Sequence, residues 1–126
     1  MKAGDIVFAK LTSTSAVTTL VSTRVYPVEA PLEVDLPCCY YDVQLAEAVD
    51  GSAPMTTAQI QVGCLAHTEA GAHSLANAVH GALDGLTQHS GGTWLRGLYL
   101  LGRTETRDAD NNLWGVLLVY GASVTF

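Results

Sequence analysis

The period of the hydrophobic positions changes several times along the chain, and each change marks a predicted element. Residues 3–21 carry Val7 and Leu11, then Val17, Leu20 and Val21, interrupted by Thr12-Ser13-Thr14-Ser15. This predicts two helical pieces with a break, a hydroxyl of the interrupting run capping the second piece. Val25-Tyr26-Pro27 follows. Residues 28–37 then hold Glu29, Glu33, Asp35, Pro31 and Pro37 without helical period, which predicts an extended arm or irregular loop able to reach a neighbour.

From Pro37 the period becomes two. Cys39, Tyr41, Val43 and Leu45 share one face while Tyr40, Asp42 and Gln44 share the other, the pattern of a half-buried strand. A turn-rich stretch, Asp50-Gly51-Ser52-Ala53-Pro54, separates it from a second alternating run over residues 58–66, so the two are expected to pair as a hairpin. Residues 69–86 then place Ala72, Leu75, Val79, Leu83 and Leu86 in one apolar stripe, with Thr68 as N-cap and Gly85 near the end. Beyond a Ser90-Gly91-Gly92 linker, residues 94–106 and 113–126 read as two long strands joined by a polar tip at residues 107–112.

In the last strand Trp114, Val116, Leu118, Tyr120, Ala122, Val124 and Phe126 line one face, and Leu113, Leu117 and Val119 make the other partly apolar. One face is expected to rest on helices and the other to meet a neighbouring subunit. The whole predicts an α+β fold: an antiparallel β-sheet of about four to five strands packed against an N-terminal helical segment and one longer central helix. A single domain over residues 1–126 is expected, and no internal repeat interrupts it.

Composition narrows the function classes. Charged residues are 14% of the 126 and hydrophobic ones 48%, with a mean hydropathy of +0.24. So little charge on a small chain implies that part of its exterior is covered by other subunits. The net charge of -6 argues against a surface built to grip phosphate backbones. Cys38, Cys39 and Cys64 are an odd set whose adjacent pair points to opposite faces, so reduced thiols of the cytoplasm are expected instead of a disulfide framework. The longest strongly apolar run, residues 116–120, is far shorter than the roughly 20 residues of a membrane-spanning helix, and the start of the chain lacks an export signal's apolar region.

No constellation carries catalytic, cofactor or metal chemistry. His73, Asn77, His80 and Asp84 lie opposite the apolar stripe of their helix, and the two histidines stand two turns apart, roughly 10 Å. The reading is a solvated or interfacial polar face instead of a metal site. Cys64 and His67 fall on opposite strand faces, out of reach of one another. Cys39 and Cys64 are expected to share a core face across paired strands. No carboxylate pair is framed for acid–base work, and no glycine-rich loop sits between a strand and a helix to hold phosphate. Trp94 and Trp114 are expected as core anchors more than as interface residues.

The order of these elements and a few short motifs resemble the tail-completion, or tail-terminator, proteins of long-tailed bacteriophages and gene-transfer particles. The motifs are Arg24-Val25-Tyr26-Pro27, Leu36-Pro37, Asp50-Gly51, Gln59-Ile60-Gln61-Val62 and Thr68-Glu69-Ala70. The resemblance implies a non-enzymatic virion protein without cofactors, assembled in the host cytoplasm and placed at the head-tail junction. It implies a homo-oligomeric, hexameric ring that caps the tail tube protein, ends tail polymerisation, presents a surface to the head-tail connector protein and lets DNA pass without specific binding.

Candidate subunit, tube or connector contacts are then Glu29, Glu33, Asp35, Asp50, Arg103, Glu105, Arg107, Asp108, Asp110 and Trp114. Another neck, head-closure or tail-to-head joining ring is the alternative within the same setting. A small oligomeric α+β enzyme or ligand-binding module, with a pocket between residues 68–86 and the sheet using His73, His80 or Tyr41, is the alternative outside it.

Overall fold

A computed structural model describes residues 2–22, 24–27, 36–45, 55–90, 93–110 and 112–125. The chain begins with two helices, α1 (Lys2–Ser13) and α2 (Ser15–Val21). The break falls at Thr14, whose extended backbone stops one helix and starts the next. Its hydroxyl does not cap α2. It donates instead to the Lys10 carbonyl at 2.7 Å, turning back to satisfy the end of α1.

Three strands follow: β1 (Val25–Pro27), β2 (Cys38–Leu45) and β3 (Met55–Ala66). Helix α3 (Glu69–Leu83) comes next, then β4 (Gln88–Ser90), β5 (Thr93–Asp108) and β6 (Leu113–Thr125). Thr68 caps α3 as expected, its side chain accepting from the Gly71 amide at 3.0 Å. The helix ends three residues before the sequence pattern suggests: Asp84 is already extended, and Gly85 takes the left-handed conformation (φ 71°) and turns the chain toward β5. There the Gly85 amide donates to the Leu98 carbonyl at 2.8 Å and the Leu98 amide donates to the Leu86 carbonyl at 3.1 Å.

The strands form one six-stranded sheet in the order β1-β2-β3-β6-β5-β4. The α+β class holds, but the strand count and the uniform antiparallel arrangement do not. β1 runs parallel to β2, with Val25 opposite Cys39, and β4 adds a short antiparallel edge to β5. Both extra strands have three residues. A run that short shows no alternation in sequence, so only its partner defines it as a strand. The expected hairpins are present: β2 pairs β3 with Cys39 opposite Cys64, and β5 pairs β6 with Arg107 opposite Trp114.

The core lies between the helices and one sheet face. Ile6, Val7, Leu11, Val17 and Val21 from α1 and α2, and Leu75, Val79 and Leu83 from α3, pack against Ile60, Val62, Leu118, Tyr120 and Val124 of the central strands. Cys39 and Cys64 join this core as free thiols, each fully buried, as the alternation indicates. On the opposite sheet face Thr57 and Gln59 are exposed while Leu117, Val119 and Ser123 are half-buried. Tyr40 lies over Gly63 and Tyr99 over Gly121, where a Cβ at 121 would meet the Tyr99 ring at 2.8 Å. The glycines leave room for aromatic rings to lie flat on the strands.

Candidate interaction surface

The β5–β6 hairpin carries most of the described residues singled out from sequence. Its pairing puts Arg103 opposite Leu118, Glu105 opposite Val116 and Arg107 opposite Trp114. Directly opposed residues share a sheet face, so Arg103, Glu105 and Arg107 project on the helix side. At the tip Asp108 accepts from the Asp110 amide at 3.2 Å, and Asn112 adopts φ 49°, the left-handed conformation that closes the turn. His67 Nδ1 lies 3.1 Å from the Asn112 carbonyl, which holds the tip to the end of β3.

Arg103 meets α3. One guanidinium nitrogen donates to Asn77 Oδ1 at 3.0 Å and the other lies 2.9 Å from His73 Nδ1. A guanidinium is only a donor, so His73 Nδ1 accepts and its proton sits on Nε2. Nε2 is 3.0 Å from Glu105 and 3.9 Å from Glu69. The polar face of α3 is therefore not a free one: it is laced to β5. The periodicity of α3 places His73 and Asn77 on one face, but only the β5–β6 register brings Arg103 and Glu105 to them.

Glu69, His73 and Glu105 each offer one ligand atom, all within 4.8 Å of one another, and are the residues with which a cation could be held. A metal on His73 Nε2 requires the imidazole proton on Nδ1, where it would confront the Arg103 guanidinium. The proton arrangement that satisfies all four side chains is the metal-free one. The crevice between α3 and the hairpin, lined by Glu69, His73, Glu105 and Trp114, is too narrow to admit water.

The residues proposed for a ligand pocket do not converge. His80 Nδ1 is hydrogen-bonded to the Tyr120 hydroxyl at 2.8 Å, the two rings stacked at 5.9 Å. Tyr41 lies near Phe8 of α1, with ring centroids 6.0 Å apart. Cys64 is buried while His67 is exposed, on opposite faces as expected. Burial also pushes the Cys39 thiol up to about 12, with the neighbouring Cys38 adding to it, so neither chemistry nor exposure suits it to nucleophilic work.

The two tryptophans differ from one another. Trp114 is half-buried and packs on the core, with the Arg107 guanidinium 4.6 Å over its ring. Trp94 is 37% exposed, with the His89 ring tilted against it at 4.8 Å and the Arg96 guanidinium 4.6 Å over its ring, and is not the expected core anchor. Its alternation partner in the core is Leu95, which is fully buried. Glu29, Glu33, Asp35 and Asp50 lie outside the described residues.

One arginine that sequence reading quoted only within a motif has a visible structural task. Arg24 Nε donates to the Pro37 carbonyl at 2.9 Å, and the Arg24 carbonyl accepts from the Cys39 amide at 3.1 Å. It ties the end of α2 to the start of β2, which explains why Arg24-Val25-Tyr26-Pro27 and Leu36-Pro37 stand out together.

No curated protein matches the chain. Among solved structures it is similar to a chain of the virion of a native gene transfer agent (GTA) particle, with a TM-score of 0.76 and 25% identity over 95% of this chain and 92% of that chain. The family model described as tail completion protein gp17 matches residues 5–125, from α1 to β6, and the chain belongs to that family of tail completion proteins.

Proposed function

We propose that the protein caps the end of the tail tube, stops its polymerisation and forms the surface to which the head is joined, acting as a hexameric ring. The observation that carries this reading is the family match over residues 5–125, which makes the chain a structural protein of a phage-type tail and spans all the described strands. The geometry supports it: His73 and Asn77 of α3 are bonded to β5 and His80 to β6, and the sheet has two dissimilar edges among the described residues. Dissimilar edges suit head-to-tail contacts, which form a ring when the rotation between copies closes.

In this reading the tube protein, the head-tail connector protein and further copies of the chain are the partners. The hairpin residues Arg103, Glu105, Arg107, Asp108, Asp110 and Trp114, with Glu29, Glu33, Asp35 and Asp50, supply the contacts. The acidic balance keeps duplex DNA from adhering as it passes, since carboxylates repel phosphates within a Debye length.

Electron microscopy of particles assembled without the protein tests the reading. Overlong or unattached tails, cured by supplying the gene in trans, are the expected result. Tails of normal length joined to heads would overturn it.

A further inference from the structure

Cys39 and Cys64 stand directly opposite one another on the antiparallel strands β2 and β3. Both side chains belong to the helix-side core, both are fully buried, and both are free thiols. Opposed residues of an antiparallel pair are of two kinds, hydrogen-bonded and not, and the side chains are closer in the second kind.

The backbone bonds decide which kind this is. The Cys39 amide donates to the Arg24 carbonyl at 3.1 Å, beside the Val25–Cys39 pairing, so the peptide groups of Cys39 point to β1 and away from β3. On the other strand the Cys64 carbonyl points to β6, 3.9 Å from where a Cβ on Gly115 would stand. Cys39 and Cys64 are therefore a non-hydrogen-bonded pair, whose Cα atoms stand about 4.5 Å apart. A disulfide spans Cα separations of about 4.4–6.8 Å, so the pair can be bridged without moving a strand.

Cys38 does not compete for either thiol. Its partner across the strands is Leu65, and as the neighbour of Cys39 it points to the opposite sheet face. Burial also selects the oxidant. Exchange with a small-molecule disulfide leaves a bulky adduct on the first sulfur, for which a fully buried pair has no room, whereas hydrogen peroxide is little larger than water and leaves a single oxygen. Burial keeps the thiols protonated, Cys39 up to about 12, so the reaction is slow and brief exposure leaves the pair reduced.

We propose that Cys39 and Cys64 are a latent redox pair, closed by hydrogen peroxide into a cross-strand disulfide between β2 and β3. One sulfur gives up its proton and attacks the O–O bond, forming a sulfenic acid and releasing water. The second sulfur gives up its proton and displaces the sulfenic oxygen, forming the S–S bond and releasing a second water. The two thiols lose two electrons and two protons, and the peroxide takes up both. Among the described strands β1 and β2 reach the rest of the sheet through β3 alone, so the bond staples that end of the sheet to its centre. The lock goes beyond the tail-capping reading and does not depend on a ring; it suits a particle that has left the reducing cytoplasm.

The test uses the full chain, native and as Cys38→Ala, exposed to hydrogen peroxide while folded, then alkylated in denaturant and digested without reduction. The expected product is a monomer that has lost two alkylatable thiols and two hydrogens. Its Cys39 and Cys64 lie in one linked peptide that dithiothreitol separates, Cys38 of the native chain is alkylated, and the urea midpoint stands about 1 M above that of the reduced chain. Cys39 and Cys64 both still free, either one taken to sulfinic acid without a link, or a link through Cys38 overturns the pair. A linked chain with an unraised midpoint overturns the lock. Should Cys38→Ala fail to fold, fragment masses of the linked peptide from the native chain distinguish Cys39 from Cys38 and decide the same question.

Discussion

Three thiols and one tyrosine carry the clearest chemical consequences at the residue scale. Cys38, Cys39 and Cys64 are fully buried, and burial is the leading cause that raises each thiol above its ordinary value of 9, Cys39 to about 12. In the unfolded chain they ionise near 9 while the folded chain keeps them protonated. The unfolded state thus binds fewer protons at higher pH, and stability, fully present below 9, is lost as pH rises from 9 toward 12. For Cys39 the slope over that range is about 1.4 kcal/mol per pH unit. Chemical denaturation at pH 7 to 10 is expected to show this fall, and Cys39→Ala to make it shallower; an unchanged slope in the variant would contradict the assignment. Thiol reagents at pH 8 are expected to label the native protein slowly and the denatured protein at all three positions. Tyr120 is also buried, and burial, followed by Cys64 and Asp84, raises its hydroxyl, which is hydrogen-bonded to His80. Tyr120→Phe removes that bond and is expected to cost about 1 kcal/mol in denaturant stability, water replacing part of it at the half-exposed imidazole.

Two threonines that look alike in sequence do opposite things among the elements. Thr68 and Thr14 each precede a helix with an extended backbone, yet only Thr68 accepts from an amide of the helix it precedes. Thr68→Ala is expected to lower stability by about 1 kcal/mol, the ordinary worth of an N-cap. Thr14→Ala is expected to change it by less than about 0.5 kcal/mol, because its hydroxyl only adds a donor to a carbonyl at the end of α1. A urea titration of both variants separates the two; equal losses would mean that Thr14 caps α2 after all. The elements with long periodic patterns, α3, β2, β3, β5 and β6, are legible from sequence because burial of one face imposes their period. β1 and β4 are not, since pairing alone defines them.

The bond between α3 and β5 belongs to the whole molecule, joining surfaces that sequence reading treated separately. Arg103 is exposed and hydrogen-bonded to Asn77 and His73. Exposed polar contacts of this kind contribute about 1 kcal/mol or less. Arg103→Ala is therefore expected to lower Tm by a few degrees at most, while lowering the yield of completed particles through the contact proposed for it. A thermal melt read beside a particle count distinguishes a folding residue from an assembly residue. A large loss of Tm would assign Arg103 to the fold alone.

The sequence by itself determined the α+β class, the two long hairpins, the central helix with its Thr68 cap and the face shared by Cys39 and Cys64. Each follows from local periodicity, capping chemistry or the alternation of a strand, all of which act over a few residues. It also held the family, through the order of elements and through motifs that Arg24 ties together in space. Only the tertiary structure decided that β1 runs parallel to β2, that Trp94 faces outward and that His73 sits between Arg103 and Glu105. Those facts depend on which strand lies beside which and in what register. Register is set by packing between segments far apart in the chain, and no local pattern encodes it.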